Sequence, residues 1–441
     1  MVAGEQALWW AVDHALNASA LSVAAACFVV WGLISARLER WQITAPIAFV
    51  VFGAVLTNGP LEVVHLRLHS STIRTVAEIT LALVLFSDAS RVNAKTLLAD
   101  AGIPARLLGI GLPLTIGAGA ATAAALFSSS GIWVAALVGA IVAPTDAALG
   151  AAIMSDDRVP SRIRRVLNVE SGLNDGIATP FVNLFLAGAL AAEAVSPTGA
   201  GKAAVDLIGG AAIGVGVGLV GALLLALAVR AKWSAPGFKP LAVFALAVLA
   251  YAVAIVAHTN GFVAAFVGGL AFGTATGATE EVLVFTEEAG TLLSLLVWFS
   301  FGAVMLIPGL EAAGWRDLVF AVLALTLVRM VPAALALLGA GLDGSTVAFV
   351  GWFGPRGLAS VVFGLIAVDT LDQPEAHVVL GAVVVMVALS VLAHGVSASP
   401  LARRYGLHCD RLHPERPEHR PAPMLTVRDL RAGRRPGLRE G

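Results

Sequence analysis

The sequence predicts an all-α polytopic membrane protein with about 13 transmembrane helices, and three observations lead to that class. The chain has 441 residues, of which 58% are hydrophobic and 13% charged, whereas soluble domains contain about 25% charged residues. Apolar stretches long enough to cross a bilayer recur up to about residue 398. Two of these stretches contain a proline next to a charged residue near the midpoint.

The apolar stretches define the predicted spans. They lie near residues 16–35, 43–58, 72–88, 106–128, 131–154, 163–190, 203–230, 238–258, 260–276, 289–308, 316–340, 345–369 and 375–398. The second and ninth stretches are short, so twelve spans remain an alternative.

Basic residues in the loops give the predicted orientation. With thirteen spans, twelve Lys and Arg lie on one side and four on the other, so the richer side is expected in the cytoplasm. We therefore expect a multi-pass protein of the cell membrane, with its N-terminus outside and its C-terminus inside. The acidic stretch "GATEEVLVFTEEAG" (277–290) reads as an inside loop. Residues 401–441 contain ten arginines, are rich in Pro and Gly, and predict a disordered cytoplasmic tail.

Spans five and twelve are predicted to be interrupted helices. Pro144 is followed by Thr145 and Asp146, and Pro355 is followed by Arg356. Proline removes an amide donor and clashes with the preceding turn, so each helix should break there. The two spans run in opposite directions, which is typical of inverted repeats whose broken helices cross at a midplane site. We expect Asp146 to balance the N-terminal helix ends and Arg356 the C-terminal ends.

Span six contains the stretch "VESGLNDGIATPF", which places polar side chains in an apolar segment. Ser171 and Asp175 are one helical turn apart, and so are Glu170 and Asn174. Their oxygen ligands suit Na⁺, Li⁺, H⁺ and K⁺, and carbonyl groups near residues 140–143 are expected to complete the site with Thr145 and Asp146. A buried carboxylate holds either a proton or a cation, so this cluster predicts exchange of one for the other.

Two arginines in the spans require partners or a path to water. Glu170 is expected to form a structural ion pair with Arg356, since both groups would otherwise be unpaired in hydrocarbon. Arg329 has no evident partner in the sequence, and its expected role is either to extend toward the cytoplasmic interface or to act in gating.

Three motifs together resemble the sodium/proton antiporters of the NhaP type, in the first monovalent cation:proton antiporter family, which includes the mammalian Na⁺/H⁺ exchangers. The motifs are "APTDA" (143–147), "ESGLNDG" (170–176) and "FGPRGLASVVFGL" (353–365), and weaker matches occur at "LFSDASRV" (85–92), "NGFVAAFVGGLAFG" (260–273) and "LLVWFSFGAVML" (295–306). The resemblance covers residues 15–398. Pro355, and the Ala of "FSDAS", depart from the residues common in the family.

The resemblance implies an inverted-repeat antiporter fold with a homodimeric scaffold (about 16–88 and 238–308), a moving core (about 106–190 and 316–398) and a linker helix (about 203–230). It also implies roles for single residues. Asp175 would bind the proton or cation; Asp146, Ser171 and Thr145 would be further Na⁺ ligands, Thr145 mainly through its carbonyl; the Asn174–Asp175 pair is associated with electroneutral exchange.

The expected function is therefore antiport of Na⁺ or Li⁺ against H⁺, with no enzymatic activity, no cofactor and no nucleic-acid partner. A K⁺/H⁺ antiporter of the same fold is the alternative, and a cation channel, an intramembrane aspartyl hydrolase using Asp146 and Asp175, and a solute symporter are rivals. A channel usually shows a filter repeat or rings of charge, whereas the polar residues here are expected to meet at one midplane point, which favours a carrier.

Overall fold

The computed structural model describes residues 21–38, 41, 43–58, 70–92, 102–193, 199–277, 280–413 and 415–420, and this part of the chain is predominantly α-helical. The helices, in order, are α1 (Leu21–Leu38), α2 (Ala45–Asn58), α3 (Ser71–Arg91), α4 (Gly102–Leu126), α5 (Gly131–Val142), α6 (Ala147–Met154), α7 (Ser161–Glu193), α8 (Gly199–Arg230), α9 (Lys239–Val256), α10 (Gly261–Thr276), α11 (Glu280–Ser300, continued to Ala312), α12 (Trp315–Leu325), α13 (Leu327–Ala336), α14 (Gly344–Trp352), α15 (Leu358–Thr370) and α16 (Glu375–Cys409).

Helices occupy the positions of the predicted spans. Within the described residues, nine helical segments are long and apolar enough to cross a membrane, and three shorter apolar helices are α2, α10 and α15. The all-helical class is confirmed, whereas the number thirteen stays a prediction.

One group of helices is formed by α2, α3, α10 and α11, together with α9. Glycines allow close approach of the backbones: a Cβ on Gly53 or Gly302 would lie 2.0 Å from a carbonyl oxygen across the α2–α11 contact. Gly269 and Gly273 of α10 pack in the same way against α3. Small residues at such crossings are typical of membrane helix pairs, since packing rather than the hydrophobic effect holds them together. Helix α8 packs mainly against α10.

A second group contains α4 to α7 and α12 to α16. Its apolar core includes the fully buried Leu137, Val362 and Val383. Both predicted helix breaks occur in this group: residues 143–146 separate α5 from α6, and residues 353–357 separate α14 from α15. The backbone amide of Asp146 donates to the Pro355 carbonyl at 2.7 Å, so the two interruptions cross in contact.

Three segments differ from the sequence expectation. The acidic stretch predicted as a loop is mostly helical, because α11 begins at Glu280. Span eleven is interrupted at Thr326, whose φ of −111° and ψ of −96° are not helical. Helix α16 continues to Cys409, so the predicted disordered tail does not begin at residue 401. Residues 421–441 lie outside the described part.

The first part of the tail folds against the second group. Glu418 is 1% exposed, and its Oε1 accepts hydrogen bonds from the Asp343 amide at 2.7 Å and the Thr346 hydroxyl at 2.9 Å. These donors lie at the beginning of α14, where backbone amides lack helical partners. The tail therefore supplies a second carboxylate to this helix end, beside Asp343 itself.

Candidate functional site

Asp146 lies in the first interruption and satisfies amides of two helices. Its Oδ1 accepts from the amides of Ala148 at 2.7 Å and Leu149 at 3.1 Å, at the beginning of α6. Its Oδ2 accepts from the Leu358 amide at 2.8 Å, at the beginning of α15. A carboxylate here stabilises the positive ends of both helix dipoles. This geometry agrees with the expectation that Asp146 balances the N-terminal ends.

Arg356 lies in the second interruption and satisfies the opposite kind of helix end. Its Nη1 donates to the carbonyls of Ala143 and Pro144, the latter at 3.0 Å, just after α5 ends. The Ser360 hydroxyl donates to the Ile141 carbonyl at 2.7 Å. Several carbonyls that the sequence suggested as cation ligands are thus already bonded to donors from the second interrupted helix.

Two glycines of the "FGPRG" motif are required by close packing. A Cβ on Gly357 would lie 2.0 Å from the Asp146 Oδ2 atom, so a side chain there would displace the carboxylate. A Cβ on Gly354 would lie 2.8 Å from the Arg329 Nε atom and 2.9 Å from the Thr145 methyl group. Both glycines therefore allow charged groups to approach the backbone of the crossing.

A hydrogen-bonded network links the first interruption to α7. Asn174 Nδ2 donates to Thr145 Oγ1 at 2.6 Å, and the hydroxyls of Thr145 and Ser171 are 3.0 Å apart. All three side chains are buried. The Asn174 Oδ1 atom is also buried and has no hydrogen-bond partner among the described residues. Asn174 thus fixes Thr145 and Ser171 in position.

The structure corrects the predicted ion pair of Glu170. Its Oε1 lies 2.6 Å from Arg329 Nη1, and the two side chains are 3% and 2% exposed. Arg329 therefore does not extend to the interface. Arg356 has no carboxylate within salt-bridge distance in the described residues and bonds to carbonyls instead. The physical reason is the direction of the helices: α13 brings Arg329 to α7, whereas the interruption turns Arg356 toward the end of α5.

A cavity lies beside the crossing and contains three of the predicted ligands. Asp146, Ser171 and Asp175 line it together, and it encloses about 400 Å³ of empty space, part of it open to solvent. The side chains of Thr145 and Asn174 lie in the network next to the cavity and are not among its lining residues. Among the described residues, no three His, Cys, Asp or Glu side chains are grouped closely enough to hold one metal ion.

Sequence reasoning missed the opposite wall of this cavity. That wall is formed by Val84 and Asp88 of α3 and by Ser294 and Trp298 of α11. The signal available in the sequence was Asp88, an acid inside the apolar segment "LFSDASRV".

Comparison with known proteins agrees with this geometry. The family profile described as sodium/hydrogen exchanger, transmembrane, matches residues 23–404. A protein named K(+)/H(+) antiporter NhaP, from Alkalimonas amylolytica, is 25% identical over 377 residues, which is 84% of this chain and 64% of that protein. K(+)/H(+) antiporter NhaP2 of Shewanella oneidensis is 25% identical over 336 residues, 76% of this chain and 58% of that protein. The chain thus spans about 60% of the length of these curated relatives.

A solved structure shares the fold. The sodium proton antiporter MjNhaP1 of Methanocaldococcus jannaschii superposes with a TM-score of 0.72 at 18% identity, covering 89% of this chain and 99% of that one. An electron-microscopy structure of the same antiporter gives a TM-score of 0.69 at 16% identity. The interrupted helices, the polar network on α7 and the profile match over most of the chain lead to one conclusion: the protein belongs to the sodium/hydrogen exchanger family.

Proposed function

We propose that the protein exchanges a monovalent cation for a proton across the membrane, with Asp175 as the group that binds one or the other. The observation that supports this most directly is the cavity, in which Asp175, Ser171 and Asp146 meet beside two crossing interrupted helices. A carboxylate, a hydroxyl and a second carboxylate are hard oxygen ligands that suit Na⁺, Li⁺ or K⁺. The same carboxylate binds a proton when the cation leaves.

Asp146 has the capacity to bind a cation while it caps the helices. An ionised carboxylate offers about four acceptor positions, and three are filled by the amides of Ala148, Leu149 and Leu358. One position remains on the Oδ2 side, and the residue lines the cavity. In the proposed site Asp146 is therefore a partial ligand, and Asp175 is the residue whose protonation changes. Thr145 would contribute through its carbonyl.

The charges of the buried cluster support electroneutral exchange. Glu170 is paired with Arg329, and Arg356 is the second buried guanidinium. With Asp146 and Asp175, the second group of helices contributes three carboxylates and two arginines, a net charge of −1 if all are ionised; Asp88 is not counted because it lies on α3, in the other group. One cation or one proton neutralises it, so an exchange of one for one transfers no net charge. The net charge is the same whether Glu170 pairs with Arg329 or with Arg356.

The family match favours a carrier over a channel, and we propose that α4–α7 and α12–α16 form a core that moves against a dimerising scaffold of α1–α3 and α9–α11. Between Na⁺ and K⁺ the supporting observations divide, because the two curated relatives are named K(+)/H(+) antiporters and the solved structure is a sodium proton antiporter. We take Na⁺ or Li⁺ as the first candidate, because the carboxylates and the hydroxyl of Asp146, Asp175 and Ser171 suit these cations, and K⁺ as the second.

The test is cation-dependent proton movement in proteoliposomes, surveyed with Na⁺, Li⁺ and K⁺ across a range of pH. Asp175→Asn should abolish proton movement with every cation, while the variant still inserts and purifies as the wild type does. Wild-type rates in this variant would refute the site. A clamped membrane potential separates the stoichiometries: a strong dependence of the rate on voltage would contradict one-for-one exchange.

A further inference from the structure

Asp88 is a further ionisable residue of the cavity, in addition to Asp146 and Asp175. It lies on α3, one helical turn after Val84, and both residues line the cavity together with Ser171 and Asp175. Helix α3 belongs to the group of α2, α9, α10 and α11, whereas the other ligands belong to the group with the interrupted helices. The cavity is thus built from both groups, and each supplies carboxylates.

Asp88 approaches α7, the helix that contains Ser171 and Asp175, at a glycine. A Cβ placed on Gly172 would lie 3.8 Å from the Asp88 Cβ atom, which is van der Waals contact. Gly172 follows Ser171 directly and precedes Asp175 by three residues, so Asp88 lies close to the segment of α7 that contains both of them. A charge at this position acts on a cation in the cavity over a short distance and partly out of water.

The position of Asp88 is fixed by the packing of α3. The carbonyl oxygens of Phe86 and Ser90 lie within 2.2 Å and 2.1 Å of where a Cβ on Gly269 and Gly273 would be, so α3 and α10 touch along their backbones. The Ser90 hydroxyl donates to the Gly269 carbonyl at 3.1 Å across the same contact. The helix that carries Asp88 is therefore packed tightly against α10.

We propose that Asp88 is a residue that determines cation affinity and selectivity in the transport cavity. It attracts the cation into the cavity and stabilises it next to Asp175 while α3 faces α7. Because three acids are not grouped around one point in the described residues, Asp88 acts from the opposite wall rather than as a further ligand in the same shell. This role rests on the proposed function. In the proposed transport cycle, the movement of the core would take Asp175 away from Asp88 when the site faces the other side of the membrane.

The test compares Asp88→Asn with the wild type in two assays on the purified full chain. Transport in proteoliposomes should show a cation KM raised about tenfold, which corresponds to about 1.4 kcal/mol, with kcat within about twofold. Isothermal titration with NaCl, LiCl or KCl, at constant ionic strength in choline chloride, should show a similar rise in Kd. Asp88→Glu should recover most of the affinity and change the ratio between Na⁺ and K⁺.

Glu281→Gln is the matched control, because it removes one exposed acid from α11 outside the cavity. It should leave KM and Kd unchanged. Asp88→Ser is the second variant if the asparagine form does not fold. Unchanged KM and Kd in the Asp88 variants, or an equal rise in Glu281→Gln, would overturn the proposal. If the wild type binds cations but moves no protons with them, the proposed antiport fails, and the comparison of Kd values still decides the role of Asp88.

Discussion

The two interrupted helices share a proline beside a charge, yet their charged residues act in different ways. Asp146 accepts hydrogen bonds from three amides at the beginnings of α6 and α15 and also lines the cavity. Arg356 donates to carbonyls after the end of α5, is 0% exposed, and is not among the residues that line the cavity. Two similar sequence features thus have different roles. Asp146 caps two helices and lines the cavity, whereas Arg356 binds carbonyls at the crossing and stabilises it.

The largest expected effect is on stability and comes from the arginine. Arg356→Gln leaves the carbonyls of Ala143 and Pro144 without their donor, and buried unpaired polar groups cost about 1–3 kcal/mol each. We expect a loss of about 3 kcal/mol, seen as a clearly lower thermal midpoint in detergent. Arg356→Lys, which keeps a cationic donor, should lose less. A wild-type midpoint in Arg356→Gln would show that the carbonyls have other partners.

A smaller effect on stability, with complete loss of transport, is expected from the acid. Asp146→Asn keeps an oxygen for the amides of Ala148 and Leu149 but presents an amide group to the Leu358 N–H, so about 1 kcal/mol of capping is lost. Cation-dependent proton movement should disappear because the charge is absent. If Asp146→Asn lost as much stability as Arg356→Gln, and lost transport only in proportion to that instability, the different roles assigned to Asp146 and Arg356 would be wrong.

The smallest effect is expected at the other end of the second interrupted helix, where Asp343 caps α14. The Ser345 hydroxyl and amide, and then His408, lower the pKa of Asp343 from 3.8 to about 2. Because the pKa is lowered on folding, the stabilisation is complete above about pH 4 and is lost as the pH falls toward 2. Asp343→Ala should cost about 1 kcal/mol at neutral pH and leave transport intact.

Thermal midpoints between pH 7 and 2.5 check this prediction, and the difference between Asp343→Ala and the wild type should shrink below pH 4. Asp343→Asn is the control, because asparagine caps helices nearly as well and does not titrate. A difference that stayed constant with pH would mean that Asp343 does not act through its charge.

The sequence predicted both helix breaks and the kind of helix end that each charged residue contacts, because proline and charge are local signals. The breaks at Pro144 and Pro355 follow from backbone chemistry that needs no tertiary information. The assignment of Asp146 to helix beginnings and Arg356 to helix ends followed from the directions of the spans and agrees with the contacts.

The predicted partner of Glu170, Arg356, was wrong for a physical reason. Two arginines, Arg329 and Arg356, were available in the last spans, and the choice depends on the direction and rotation of α7 and α13 and on where the interruption before α15 turns Arg356. Hydropathy and spacing do not determine that rotation. The role of Asp88 was hidden for the same reason, since the sequence shows an acid in a span but not which helix it faces. The sequence gives only a weak indication of the break at Thr326, namely Pro332 six residues later.

The buried Glu418 has a practical consequence for handling the protein. Residues 415–420 contact the beginning of α14, and Arg416 Nη1 also reaches the Gly341 carbonyl at 3.3 Å. A truncation after Cys409, or a purification tag fused there, would remove these contacts from the helix that leads into the second interruption. Fusion partners belong after residue 420, beyond the contact of Glu418 with the beginning of α14.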